Sequence, residues 1–184
     1  GTYVYSTALS ITTALKEAQL AISKMQGYKV SYPVVYDLEY AKASKLSAKT
    51  VSEMALTFCN EVRRAGYYPM VYCNTNWYDN YIDWSLLSGV DVWIARYGDT
   101  IQAPDKERYN YTIWQSTDGN RESGLNSTSG LVAGIPAGND VDMDFGYVDY
   151  TKKITPRWKS LDSYVPAVKP DTGSNDGNQE QTGL

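Results

Sequence analysis

The segment Pro33-Val34-Val35-Tyr36-Asp37-Leu38-Glu39 places two carboxylates two residues apart at the end of an apolar run. In extended backbone successive side chains alternate between faces, so Asp37 and Glu39 project to one side and share one site. Like charges that close together repel unless one carboxyl keeps its proton, and a carboxyl held protonated near neutral pH is what general acid catalysis needs. The same spacing also fits two solvated acids at a strand end, bound to helix N-termini or to a cation. A second cluster, Asp140, Asp142 and Asp144, alternates with Val141, Met143 and Phe145. Alternation aims the acids to the face opposite the apolar residues, with at most two reaching a common cleft. Calcium loops space acids similarly, but this run reads as a strand and lacks the Gly and distal Glu of an EF-hand.

The chain has no His. That one absence removes Ser-His-Asp and Cys-His nucleophile activation, His-ligated zinc and imidazole acid-base chemistry, leaving carboxylate, Tyr or Lys chemistry. No metal site is expected. Cys59 and Cys73 have neither redox spacing nor enough company for a metal site, and burial as small apolar residues is expected in preference to a disulfide. A net charge of -4 without a dense Lys/Arg run excludes the electrostatic footprint of nucleic-acid binding. No apolar run reaches membrane-spanning length, and the first residues lack the basic start and apolar core of a signal peptide, so a soluble chain with no membrane partner is expected. Seventeen Tyr and five Trp against two Phe weight the aromatic content towards rings with a polar edge, which suit sugar faces. A Tyr-rich core would have the same composition.

The elements that must position these residues alternate. Thr2 to Tyr5 reads as a strand, and Ile11, Ala14, Leu15, Ala18, Ile22 and Met25 as a helix stripe ending at Gly27. Pro33 to Leu38 is a second strand. Ser47 is the expected N-cap of a helix marked by Val51, Met54, Ala55, Phe58 and Val62, which stops at Gly66. Pro69 to Cys73, Val90 to Ala95, Tyr111 to Gln115 and Val141 to Phe145 read as further strands, with a short helix over Trp77 to Leu87. Short apolar strands alternating with helices predict an α/β fold with a parallel sheet, in which both acid clusters lie at the carboxyl ends of strands. Between Ser116 and Asp140 the Gly, Ser and Asn content suits a hairpin or long loop. The folded domain is expected to span residues 1–164, followed by a polar linker or disordered tail over 165–184.

The ordered blocks YPVVYDLE, GYYPMVYCN, DVWIARYG, YTIWQ and NDVDMDF together resemble the glycoside hydrolase family 25 lysozymes, the Chalaropsis-type muramidases, over roughly Gly1 to Tyr147. The resemblance implies a modified (β/α) TIM-like barrel that hydrolyses the β-1,4 bond between N-acetylmuramic acid and N-acetylglucosamine in bacterial peptidoglycan, with no cofactor. It implies a secreted or extracellular enzyme acting at the cell wall. It makes Glu39 the proton donor, Asp37 its partner and Asp142 the acid of the last strand. Tyr36, Tyr72, Trp93, Tyr97, Trp114 and Gln115 take the substrate-binding positions. The family begins with a strand carrying a further acid and then a second strand, and both are missing here. The barrel is therefore expected to lack its first two β/α units, about a quarter of the whole. An upstream segment or a second copy would complete it. The missing acid keeps open the alternative of a cell-wall-binding or degenerate module without full activity.

Overall fold

In the computed structural model the described residues are 1–98, 102–119, 128, 131–155 and 162–170. Strand β1 (Thr2–Tyr5) leads to helix α1 (Ile11–Lys24), which begins where the Ser10 hydroxyl accepts from the Thr13 N–H at 3.2 Å. After α1 the chain turns through Gly27 at φ +79°, a conformation that an L side chain adopts only under strain. The unit repeats with β2 (Val34–Asp37) and α2 (Ala48–Arg64), capped as expected by Ser47 on the Thr50 N–H at 3.1 Å. Then come β3 (Pro69–Asn74), α3 (Thr75–Asn80), β4 (Asp91–Ala95), α4 (Lys106–Tyr109), β5 (Ile113–Thr117), β6 (Met143–Gly146) and α5 (Tyr150–Lys153).

The helix expected over Trp77 to Leu87 stops at Asn80 and resumes as a 3-10 turn over Trp84–Leu87. Asp83 separates the two pieces. Its carboxylate accepts from the Ser85 N–H and its own N–H donates to Ser52 Oγ at 2.7 Å, local bonds that compete with a continuous helix. Among the described residues no helix is long and apolar enough to cross a membrane.

The six strands among the described residues form one sheet in sequence order, β1 to β5 parallel. The parallel order expected for the sheet ends at β5: β6, after the stretch that suits a hairpin or long loop, pairs antiparallel with β5 through a register irregularity between Gln115 and Thr117. The reason lies in the connection: a parallel return needs a crossover, normally a helix, and the Gly/Ser/Asn-rich stretch after Ser116 has no apolar stripe to make one. Asp142 therefore stands at the N-terminal end of β6, which the antiparallel pairing brings beside the C-terminal end of β5.

Each central strand is buried on both faces. Outward, Val34, Tyr36 and Leu38 pack with Val71 and Cys73 against Ala18 and Ile22 of α1 and Val51, Ala55, Phe58 and Val62 of α2. Cys59 and Cys73 are free and buried in this layer, and burial pushes the Cys59 thiol up to about 12. Inward, Val35, Met70, Tyr72 and Ala95 form a second apolar layer with Tyr150 of α5. Tyr150 closes the floor at the N-terminal ends of the strands, where Asp91 accepts from the hydroxyls of Tyr150 at 2.6 Å and Tyr68 at 2.8 Å and from Lys153 Nζ at 3.1 Å.

The sheet is curled into a half-barrel. A cavity of about 330 Å³ touches Tyr3 on β1 and Asp144 on β6, with Val35, Met70 and Trp93 between them, so the two end strands face one concavity. Among the described residues it is not closed: β1 and β6 are the two ends of the pairing order, and the inward rings of Tyr3 and Tyr5 are 63% and 47% exposed.

The chain is held past the expected domain end at Tyr164. Glu61, on the outer side of α2 and 1% exposed, accepts from the Tyr164 hydroxyl, from the Ala167 N–H at 3.0 Å, from Gln19 Nε2 at 3.3 Å and from Arg64 Nε at 3.2 Å. Gln19 Nε2 also donates to the Ala167 carbonyl at 2.9 Å. The rest of the expected tail, 171–184, lies outside the described residues. Glu61→Ala leaves the half-buried donors of Gln19, Tyr164 and Ala167 without their acceptor and should lower stability by about 1–2 kcal/mol. Limited proteolysis should then cut within residues 162–170 much faster than in the parent chain, and equal cleavage of the two would show that Glu61 does not hold this segment.

Candidate active site

Parallel register lines up one row of inward side chains near the C-terminal ends of the strands. Tyr5 pairs with Asp37, Asp37 with Tyr72, and Tyr72 with Trp93. With Tyr3, Glu39, Tyr97, Gln115, Asp118 and Asp142 they line a cleft of about 550 Å³. This is the end of a β/α sheet at which ligands bind, because the strand ends and following loops converge there.

The two carboxyls of the Asp-x-Glu strand share this cleft. Asp37 is buried and its Oδ1 has no hydrogen-bond partner among the described residues. Burial, and then repulsion from Glu39, push its carboxyl up to about 7. Glu39 stands two residues beyond the strand, more open to the cleft, and partial desolvation raises its carboxyl too. A carboxyl pushed up to about 7 keeps part of its proton close to neutral pH, the condition for donating one.

The acids of the last strand divide. Asp142 Oδ2 accepts from Gln115 Nε2 at 2.8 Å. Burial and then Asp118 raise its carboxyl, while the Gln115 bond pulls it down. Asp144 Oδ1 accepts from Trp93 Nε1 at 2.7 Å and reaches the deeper cavity beneath the cleft. Burial raises it to about 6, with the Trp93 bond opposing and Asp142 adding to the rise. Asp140 is exposed and does not line the cleft.

Tyr72 and Trp93 meet edge to face with ring centroids 4.9 Å apart, and the Tyr72 and Tyr97 hydroxyls both donate to Gln115 Oε1 at 2.7 Å. Two expected binding residues lie elsewhere. Tyr36 is fully buried on the outer face, stacked on Phe58 at 4.3 Å and bonded through its hydroxyl to Ser6 and Glu17. Trp114 stacks on Phe145 at 5.1 Å and donates to the Arg96 carbonyl at 3.0 Å. Both corrections have one cause: Tyr36 neighbours inward Asp37, and Trp114 neighbours inward Gln115, so alternation turns each ring outward. The sequence reading also passed over Tyr3, Tyr5 and Asp118. The two tyrosines acquire a place only through the pairing of β1 with β2. Asp118, one residue past β5, carried no motif.

A carboxylate pair in an aromatic cleft, at the C-terminal mouth of a curled β/α sheet, is the class of site on which glycoside hydrolysis is built. The chain belongs to glycosyl hydrolases family 25, whose pattern matches residues 1–125. It is similar in structure to the modular autolysin LytC from Streptococcus pneumoniae, with 25% identity and a TM-score of 0.53 over 65% of this chain and 30% of that one. It is also similar to a family 25 glycosyl hydrolase from Bacillus anthracis, with 20% identity and a TM-score of 0.60 over 81% of this chain and 64% of that one. The chain thus spans less than two thirds of the length of either. No curated protein matches it.

The raised Asp37 carboxyl has a stability consequence whose sign is fixed. In the unfolded chain an Asp ionises near its ordinary value of 3.8 and here burial pushes it up to about 7, so the fold favours the protonated form. Stability is then greatest below about pH 4 on this account and is lost as pH rises through about 7. Asp37→Asn should melt higher than the parent chain at pH 8 and level with it near pH 4. Equal melting temperatures at both pH values would show that Asp37 is not held under this strain.

Proposed function

We propose that the chain is the greater part of a lysozyme-type muramidase that hydrolyses the β-1,4 bond between N-acetylmuramic acid and N-acetylglucosamine of bacterial peptidoglycan, outside the cell at the wall. The observation that carries the reading is the Asp37–Glu39 pair facing an aromatic cleft on a family 25 sheet. That a neighbour at 25% identity is an autolysin supports it. Glu39, the more open of the two acids, protonates the glycosidic oxygen, and the oxocarbenium-like centre is stabilised by Asp37 or Asp142. Either carboxylate serves as direct nucleophile, or the 2-acetamido oxygen of the substrate attacks while Asp37 orients it. The rings of Tyr72, Trp93 and Tyr97 offer apolar faces to the sugars.

In this reading the half-barrel is six consecutive strands of a (β/α) barrel, and two further units, from an upstream segment or a second copy, fill the side between β1 and β6. The exposed inward rings of Tyr3 and Tyr5 support this. A wall-binding module without full activity is the second reading, favoured by the same open side. Turbidity separates the two, since a binder pellets with the walls and an enzyme clears them.

Glu39→Gln should abolish clearing while the protein still pellets with walls, because the amide keeps the shape and cannot donate the proton. General acid catalysis contributes about 10²-fold or more, so a residual rate above about a tenth would remove Glu39 from that role. Asp37→Asn and Asp142→Asn should each lower the rate strongly and Asp140→Asn far less. Equal, mild losses from all three would indicate a solvated acidic rim. In sedimentation the chain should associate, or melt poorly as a monomer, until the expected units are supplied; a cooperative, high-melting monomer would show that the fold needs no further unit.

A further inference from the structure

Gln115 is 4% exposed, on the inward face of β5, and its amide is engaged on both sides. Oε1 accepts from the hydroxyl of Tyr72 on β3 and from that of Tyr97 just past β4, each at 2.7 Å. Nε2 donates to Asp142 Oδ2 at 2.8 Å. An amide oxygen has two lone pairs, and both are filled by these hydroxyls. Rotating the amide by 180° would set its oxygen against a carboxylate oxygen, acceptor against acceptor. The acceptor-only carboxylate of Asp142 therefore selects the orientation that points an N–H at it, and the two tyrosine hydroxyls, which could donate or accept, donate to the amide oxygen and hold the group there.

The surroundings make that N–H matter. The acids sharing the cleft with Asp142 are Asp37 and Glu39 from the end of β2 and Asp118 from the end of β5, with Asp144 on β6 beside it and the Tyr97 hydroxyl above. Among the described residues lining the cleft there is no Lys or Arg. A carboxylate there is repelled by its neighbours and depends on neutral donors to remain an anion. Asp142 stands just outside β6, between Val141, whose N–H and carbonyl both bond Thr128 Oγ1 at 2.7 Å, and Met143, whose carbonyl accepts from Ser116 Oγ at 2.9 Å, so its backbone is held and the Gln115 bond fixes the direction of its side chain.

We infer that Gln115 is the positioning residue for Asp142, holding it in the cleft as an oriented carboxylate, with Tyr72 and Tyr97 acting through the amide they lock. The inference rests on the muramidase reading for its catalytic meaning and deepens it. The hydroxyls of Tyr72 and Tyr97 serve the amide while their ring faces remain for sugar, and Gln115 acts on the reaction without needing to touch substrate.

The test compares the parent chain with Gln115→Leu, which keeps bulk and lacks the N–H, and with Tyr97→Phe, a milder variant that removes one hydroxyl and preserves the ring should the Leu variant fail to fold. Two readouts are taken on each: wall clearing as a function of pH and wall concentration, and titration of the Asp142 carboxyl carbon by NMR. For Gln115→Leu, kcat should fall about tenfold or more, the size expected for loss of one hydrogen bond to a charged group, with KM little changed. Asp142 should titrate at higher pH, because the donor that favours its anion is gone, and the acidic limb of the rate profile should move up with it. Tyr97→Phe should shift both in the same direction by less. A rise in KM with an unmoved limb and an unmoved titration would overturn the inference and make Gln115 a sugar contact. If the parent chain clears no walls yet Asp142 titrates higher in both variants, the muramidase reading fails and the positioning role stands. If the titration does not move in either variant, the positioning role fails whatever the clearing rate.

Discussion

Everything at the site depends on the two-faced burial of β2. A central parallel strand is covered on both sides, so alternation divides its residues into two sets with different fates. Val34, Tyr36 and Leu38 are pressed against α1 and α2, while Val35 and Asp37 are turned into the hollow, with Glu39 continuing the inward row just beyond the strand end. A one-residue slip would put a carboxylate against Phe58 and a tyrosine ring in the cleft. The strand cannot slip, because the outer set fills the helix layer and the inner set stands on the apolar floor of Met70 and Tyr150. The ionisable residue is thus carried inward by apolar neighbours that leave it no other place, and this is how a carboxyl is kept in surroundings that raise its affinity for a proton.

The same rule explains what could be seen in the residues alone. Five of the strands, the two long helices and the cap at Ser47 follow from periodicity and punctuation, which are local. The Asp37–Glu39 pair was legible for the same reason. Tyr36 and Trp114 were assigned to the cleft on their motifs, against an alternation that already turned them outward. Tyr3 and Tyr5 could not be placed, since their position depends on which residue of β2 they pair with. The direction of β6 was half legible: the stretch after Ser116 has no helical stripe, and without a crossover the strand must return antiparallel. The Gln115 bridge joins residues 18, 27 and 43 positions away in the chain, and no local pattern signals such a contact.

A cleft with four acids and no lysine or arginine among its described lining residues sets its own electrostatic terms. Three carboxyls in and beneath it are raised by burial and then adjusted by a specific neighbour: Glu39 raises Asp37 further, Asp118 raises and Gln115 lowers Asp142, and Trp93 opposes the rise at Asp144. Environments that push titratable groups apart are how a site with one kind of functional group comes to have distinct acid and base members. In a chain without histidine, neutral donors do this work: an amide for Asp142 and an indole for Asp144.

That indole also gives the cleft an optical signal. Trp93 donates its N–H to a carboxyl that burial raises to about 6, meets Tyr72 edge to face, and lines the cleft. The excited state of indole responds to a charge at its nitrogen and to the displacement of water from its ring. Loss of the Asp144 proton and occupation of the groove therefore fall on one chromophore, placed inside the site. The emission of this residue links the electrostatics of the empty cleft to its filling, with no label added.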